Sequence, residues 1–503
     1  MKLAIRADAS LAIGSGHVMR CLTLADAVTA RGGEVLFICR PHDGHLAEMI
    51  ATRGVRVVRL ETPLDGRPSR GTYGDWLGVD AETDARQTLA ALDERDFEPD
   101  WMVVDHYGLG ADWETALRRA ARRIMVIDDL ADRPHDCNLL LDQNWIADFE
   151  TRYAALVPAG SQLLLGPAYA LLQRPYRELA GRAEIRSGEP RRVLVYFGAT
   201  DAAGLTLRTL DAFLGLDRED VTADIVVGSG NDDRSALLDR AAGRANVNVH
   251  FSLPSLAELM LAADLAIGAG GTTSWERICL KLPALVVTLA DNQRPIAAEI
   301  DRLGLARWLG DAADVDKATL ASALRDCLGS AGTSWFDGRL ASKIDGQGAE
   351  RVVDALFGGD IVVRRANLSD TERTFDWRNH PSIRAVSHNS EEIEFADHKR
   401  WFADVLSSTS RFMLIGERGG EPVGVVRFDV DDGVAVVSIY LAPGHSGKGD
   451  GGKLLLAAEA WLAQEVPRVQ TVAADVRPGN EASAKMFMRC GYKNHFDRFS
   501  KSL

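Results

Sequence analysis

The chain has 503 residues, 46% of them hydrophobic and 26% charged, and a formal net charge of −14. That length exceeds what one hydrophobic core supports, and the composition is that of a globular protein with two or three domains. The acidic balance excludes a protein built to wrap nucleic acid or to coat an anionic membrane, while leaving room for a local phosphate site.

The N-terminus enters a strand pattern, "MKLAIRAD", with no basic and apolar leader before it, and no apolar run approaches the ~18 residues of a membrane span. Six cysteines (Cys21, Cys39, Cys137, Cys279, Cys327, Cys490) are scattered without a CxxC pair or a Cys/His cluster. The expectation is a cytoplasmic protein with reduced thiols and no bound metal.

Apolar runs and amphipathic segments alternate from the start: "KLAIRAD", a helix from about His17 to Arg31, then "EVLFICR", "DWMVVDHYG", "RIMVIDDL" and "NLLLDQNW". Such alternation predicts a parallel sheet with helices on both faces. Val18, Cys21, Leu22, Ala25 and Val28 share the core face of the first helix, which Gly32 and Gly33 end.

The loop into that helix, Gly14-Ser15-Gly16-His17, lacks the third glycine of a dinucleotide fingerprint, because Met19 stands there. The two glycines allow close approach to a ligand. His17 falls in the helix's first turn, where the macrodipole disfavours an imidazolium, so it is a candidate general base.

From about Arg191 the alternation restarts with "RRVLVYFGATD", "ADIVVGSGND", "VNVHFS", "ADLAIGAGG" and "PALVVTLADNQ". In "GAGGTTSWE" the backbone N–H groups of Gly270, Gly271 and Thr272 form a candidate diphosphate cradle at a helix N-terminus. Glu276, one turn on, is suited to a ribose diol. Two consecutive Rossmann-like halves place a ligand crevice at the carboxyl ends of their strands.

Beyond the glycine pair Gly358-Gly359, a candidate hinge, the texture changes to "IVVRRAN", "FMLIGER", "PVGVVRFDV" and "VAVVSIYLAP". Hairpin signals at Gly419-Gly420 and Asp432-Gly433 predict a mostly antiparallel sheet in a third domain. There "LAPGHSGKGDGGKLLL" runs from a strand into a helix, and its glycines suit a pyrophosphate.

The second half resembles the nucleotide-binding half of GT-B enzymes that use UDP-sugars, including the murein lipid glycosyltransferase. Together "GSGHVMR", "VVDHYGLGADWE", "LLLGPAYALL", "FGATD" and "GAGGTTSWE...P...NQ" are similar to the UDP-sugar hydrolases of pseudaminic acid biosynthesis, over roughly residues 1–357. That resemblance implies metal-free hydrolysis of UDP-2,4-diacetamido-2,4,6-trideoxy-β-L-altropyranose with inversion. It makes His17 the catalytic histidine, and Asp105 and Tyr107 candidates to position sugar or water. It also implies sugar or diphosphate contacts from Asn292 and Gln293, a UDP-sugar site at Gly14 and Gly16, and phosphate compensation by Arg20, whose bland alternative is a surface ion pair.

Residues 360–503 resemble the GNAT acetyltransferases through the strand, the glycine loop and "TVAADVRPGNEASAKMFMRCGYKN". The resemblance implies acetyl-CoA as cosubstrate, bound by Ile439, Leu441, Gly447, Lys448, Gly449, Gly451, Gly452 and Asn480. Ser446 departs from the usual Gln or Arg of the loop. Phe487 stands where a proton-donating tyrosine is usual, leaving Tyr492, Tyr440 or a water for that role.

The implied fold class is α/β: a GT-B type pair of Rossmann-like domains (1–165 and 166–357) followed by an α+β GNAT domain (360–503). The implied activity is 4-N-acetylation of UDP-4-amino-4,6-dideoxy-N-acetyl-β-L-altrosamine followed by hydrolytic release of UDP. A GT-B glycosyltransferase and a nucleotide-sugar-binding regulator with a protein-acetylating module stay open. The expected partners are the UDP-amino sugar and acetyl-CoA, with neither nucleic acid nor membrane and no oligomeric state implied.

Overall fold

The computed structural model describes residues 1–62, 72–228, 230–251, 253–330, 332–357, 361–387, 390–418, 421–445, 450–477, 479–495 and 498–502. The Gly358-Gly359 hinge, the Gly419-Gly420 hairpin, and Ser446, Gly447, Lys448 and Gly449 lie outside the described residues. The chain divides into two compact units, Met1–Val353 and Asp354–Leu503.

The first unit holds two parallel sheets. In the first, β1 (Lys2–Ala7), β2 (Glu34–Cys39), β3 (Arg56–Arg59), β4 (Trp101–Asp105), β5 (Arg123–Ile127), β6 (Leu139–Asp142) and β7 (Gln162–Leu165) lie in the order β3-β2-β1-β4-β5-β6-β7. The central strands are buried on both faces, which is why they read as nearly continuous apolar runs, interrupted in β1 by Arg6, whose buried charge is paired with Asp8 and Asp84. Strand order reverses between β1 and β4, and a crevice opens at such a point at the strands' carboxyl ends.

The second sheet contains β8 (Arg192–Tyr196), β9 (Thr222–Val227), β10 (Val247–Phe251), β11 (Leu265–Ala269), β12 (Ala284–Thr288) and β13 (Arg307–Asp311). Its order is β10-β9-β8-β11-β12-β13, with the reversal between β8 and β11. Gly268 makes that central pairing possible, because a Cβ there would lie 2.2 Å from the Tyr196 carbonyl oxygen and 2.6 Å from Arg277 Nη1. The two predicted Rossmann-like halves are present, and the fold class is the expected one.

The second unit carries one mixed sheet of β14 (Val362–Arg365), β15 (Arg411–Arg418), β16 (Glu421–Asp431), β17 (Val434–Leu441), β18 (Thr471–Asp475), β19 (Lys493–His495) and β20 (Arg498–Ser502). Their order is β14-β15-β16-β17-β18-β20-β19. All pairs are antiparallel except β17 with β18, which run parallel only from Val434 to Val436. Asp432 and Gly433, with φ of 41° and 75°, make the tight turn into β17.

All six cysteines are buried and unpaired. Among the described residues, no helix is long and apolar enough to cross a membrane, and no group of three or more His, Cys, Asp or Glu side chains could hold a metal ion.

Candidate functional site

The crevice is built from the strand ends upward. The chain leaves β1, turns through Gly14 (φ 81°) and enters the helix Gly16–Ala30, where His17 is the second residue. Ser15 supplies no side-chain cap, and the first intrahelical bond runs from Met19 N–H to the Ser15 carbonyl. The preceding N–H groups are therefore the orphan donors of a first turn.

Asp105, the last residue of β4, is fully buried, and its Oδ1 accepts from His17 Nδ1 at 2.6 Å. Arg20 donates to the same carboxylate through Nε (2.7 Å) and Nη2 (2.6 Å). Burial pushes the Asp105 carboxyl up, but the Arg20 charge and the hydrogen bonds from Arg20 and His17 outweigh it and hold the group well below the ordinary carboxylate range. An ionised carboxylate only accepts, so Nδ1 carries a proton toward Asp105, while Arg20 Nη2, 3.3 Å from Nδ1, donates to the same carboxylate at 2.6 Å; in the neutral ring Nε2 is then the acceptor. No described residue bonds Nε2, and the His17 side chain keeps 9% of its surface exposed.

Tyr107 packs edge-on against His17, with ring centroids 4.6 Å apart, and is flanked by Tyr73 at 5.1 Å and Trp76 at 5.9 Å. Its hydroxyl donates to Asp129 Oδ2 at 2.5 Å and accepts from Asn292 Nδ2, on the second sheet's side, at 3.5 Å. A Cβ at Gly16 would lie 3.9 Å from Thr272 Oγ1, so the glycine-rich turn after β11 faces the first turn of the His17 helix. Gln293 is held against that turn, its Oε1 accepting from Leu289 N–H at 2.9 Å and its amide close to Gly270 and Gly271. His17, Tyr107, Asn292, Gln293, Gly16, Gly271 and Thr272 thus converge.

Three expectations change. Gly270 N–H donates to the Val287 carbonyl at 3.1 Å, so it is part of the sheet and not of an anion cradle. Among the described residues, no acceptor takes the N–H of Gly271 or Thr272, which leaves these two as the candidate donors of the turn. Arg20 is neither a surface ion pair nor a phosphate partner: it is buried at 4% exposure, and Asp105 and Asp129 balance its charge. Asp105 is fully buried behind His17 and bonded to its Nδ1, so it meets the crevice through that ring.

Glu276 lies in the helix Thr273–Cys279, within hydrogen-bonding reach of the Tyr176 hydroxyl. Burial raises its carboxyl to about 7 against the opposing effects of Tyr176 and Arg277.

Sequence reasoning missed Asp129, just past β5, and Asn144, just past β6. Asn144 Nδ2 donates to Asp129 at 2.6 Å, and its Oδ1 accepts from Trp275 Nε1 of the second half at 3.3 Å. The signal was present in "VIDDL" and "LDQNW", polar residues closing apolar strands at the same edge as Asp105.

In the second unit, among the described residues, no strand pairs with β17 on the β18 side from Val437 onward, which leaves the backbone of Ile439 and Leu441 facing an opening. Asp450 begins the helix Asp450–Glu465, buried and paired with Arg418. Gly451 packs tightly there, since a Cβ would meet Met486 Sδ at 2.8 Å, while Gly452 would meet Cys490 Sγ at 3.4 Å. Asn480 caps the helix Glu481–Arg489 by accepting from Ser483 N–H at 3.2 Å. Phe487 lies in the core. The Tyr492 hydroxyl is buried and donates its proton to Glu459 at 2.7 Å. Burial raises Tyr440, which packs against the Phe402 cluster.

Comparison with known proteins adds to this geometry. Residues 372–492 match the acetyltransferase (GNAT) family. Over 98% of its length the chain is 22% identical to an uncharacterized protein of Methanocaldococcus jannaschii, covering 97% of that protein. Over 305 residues, 60% of the chain, it is 24% identical to the UDP-2,4-diacetamido-2,4,6-trideoxy-beta-L-altropyranose hydrolase of Campylobacter jejuni, covering 97% of that enzyme. It is 28% identical over 162 residues to the spore coat polysaccharide biosynthesis protein SpsG of Bacillus subtilis, which is 32% of this chain and 48% of that one. Among solved structures, Acinetobacter baumannii MurG aligns with a TM-score of 0.46 and 16% identity, over 71% of this chain and 99% of that one. The aminoglycoside acetyltransferase AAC(6')-Ib with coenzyme A aligns with a TM-score of 0.26 and 20% identity, over 28% and 94% of the two chains.

Proposed function

We propose that the chain is a bifunctional enzyme of pseudaminic acid biosynthesis, acetylating the 4-amino group of a UDP-linked amino sugar and then hydrolysing the product to UDP and the free diacetamido sugar. The observation that carries the hydrolase is the His17–Asp105 pair, which leaves Nε2 as an unbonded acceptor beside Tyr107 and Asn292. His17 Nε2 takes a proton from water as the water oxygen bonds to the anomeric carbon. The anomeric C–O bond breaks, and its electron pair leaves with UDP. Opposite the first turn of the His17 helix, the N–H groups of Gly271 and Thr272 favour the diphosphate charge. Glu276, when ionised, accepts from the ribose diol.

The acetyltransferase step is assigned to residues 360–503, the hydrolase to 1–165 and 166–357. The β17 edge from Val437 and the tightly packed helix start at Gly451 suit acetyl-CoA. The acetyl group passes to the amine as the thioester C–S bond breaks, and the amine's proton leaves with the thiolate or to water. Six buried, unpaired cysteines suit the reducing cytoplasm in which such a pathway runs.

The test gives the purified chain UDP-4-amino-4,6-dideoxy-N-acetyl-β-L-altrosamine with and without acetyl-CoA, following UDP by chromatography and sugars by NMR. UDP release only when acetyl-CoA is present supports both steps and their order. Release that needs a sugar acceptor makes the first unit a transferase, and binding without turnover makes it a regulator.

A further inference from the structure

One carboxylate beneath the crevice has no part in the reaction so far. The Asp129 side chain, 9% exposed, receives Arg20 Nη1 at 2.8 Å. It also receives the Tyr107 hydroxyl at 2.5 Å and Asn144 Nδ2 at 2.6 Å. The Asn144 amide is fixed by its other contacts, because Nδ2 also donates to Asp142 Oδ1 at 2.9 Å while Oδ1 accepts from Trp275 Nε1.

A carboxylate flanked by three donors accepts from all of them, which commits the Tyr107 proton to Asp129. One lone pair of Tyr107 Oη faces Asn292 Nδ2 at 3.5 Å, and the other is what it offers the crevice. Asp105 does the same to His17, leaving Nε2 as an acceptor, and Arg20 bridges the two carboxylates so that both settings are made together. Two neighbouring acceptors match the two hydrogens of one water molecule. A water held that way turns its lone pairs outward, toward an electrophile.

We infer that Asp129 is a positioning residue: it fixes Tyr107 as a hydrogen-bond acceptor beside His17, so that the pair holds the attacking water by both its hydrogens. The Trp275–Asn144 contact ties this setting to the second sheet, since Trp275 follows the Gly271-Thr272 turn by one helical step. The inference rests on the hydrolase reading above.

The test is a double-mutant cycle of Asp129→Asn and Tyr107→Phe, scored by kcat, KM and UDP affinity on the UDP-linked diacetamido sugar. Each single change is expected to lower kcat roughly 100-fold through misplacement of the reacting water. KM and the UDP Kd should stay within about threefold, because the diphosphate contacts are untouched. The double variant should lose no more than the worse single one, since both changes remove the same setting. A merely structural Asp129 predicts lower thermal stability with kcat within about threefold in the folded variant, or losses that multiply; either result overturns the inference. Should Asp129→Asn fail to fold, Trp275→Phe removes the N–H that orients Asn144; kcat about tenfold down at unchanged UDP affinity supports the inference, and unchanged kcat overturns it. No turnover by the unmodified chain refutes the hydrolase reading and this inference together, whereas turnover that Asp129→Asn matches refutes the inference alone.

Discussion

Asp105→Asn separates orientation of His17 from mere occupancy of the site. In the native chain the carboxylate accepts two bonds from Arg20 and one from His17 at 2.6 to 2.7 Å, with no exposure to water. An asparagine keeps the volume but presents an N–H₂ group. With that group toward Nδ1, the ring adopts the other tautomer and Nε2 is protonated, so it takes no proton from water. Loss of general base action is worth about 10²- to 10⁴-fold in kcat. Stability also falls, because removing one partner of a buried ion pair costs about 3–5 kcal/mol. Arg20 keeps Asp129, which puts the expected loss near the lower bound.

The pH dependence has a definite sign. The folded Asp105 carboxyl sits below its ordinary value of 3.8, so its stabilisation is complete above that value and disappears as pH falls through the folded one. The Tm gap between the native chain and Asp105→Asn should be constant from about pH 8 to about pH 5 and should narrow below about pH 4. The assays are steady-state UDP release and scanning calorimetry across that range. A folded Asp105→Asn chain with kcat within about tenfold of native, or a gap that widens on acidification, refutes the reasoning.

Burial raises Glu276 to about 7, so this group loses its proton across neutrality, and in the proposed role it accepts from both diol hydroxyls only as the carboxylate. UDP affinity of the native chain should therefore rise from about pH 6 to about pH 8 relative to Glu276→Gln, and parallel calorimetric titrations would count against the diol role. Gly268→Ala places a Cβ 2.2 Å from the Tyr196 carbonyl oxygen and forces β8 and β11 apart; a loss of about 1–3 kcal/mol in denaturant unfolding is expected, and an unchanged midpoint contradicts the packing. Tyr492→Phe should cost about 1 kcal/mol from the Glu459 bond and leave acetyl transfer within about twofold, whereas a tenfold fall in acetyl transfer would make Tyr492 a proton donor after all.

The central strands were legible because each is an apolar run buried on both faces, as in "LAIRA", "WMVVD" and "ALVVT". The edges were not. Only Val58 of β3 is buried, and every residue of β13 is half-buried, so neither shows the apolar run that marks a buried strand. His17, Tyr107, Thr272 and Asn292 were singled out from motifs, and each follows a strand of its sheet. What one sequence withholds is which charges meet. Nothing in the spacing of Arg20, Asp105 and Asp129 tells that they form one buried cluster joining a helix, a strand end and a loop, and a lone arginine one turn after a histidine reads as a phosphate partner or a surface ion pair. Likewise, Gly270 looks equivalent to Gly271 until the register of β11 on β12 claims its N–H for Val287.

The most direct test of the account is hydrolysis of the UDP-linked diacetamido sugar in oxygen-18 water by the native chain and by His17→Ala. The account predicts release of unlabelled UDP with an initially inverted free sugar, because water attacks the anomeric carbon, and near-complete loss of release in the variant. Oxygen-18 in the UDP phosphate, or undiminished release by His17→Ala, would contradict it.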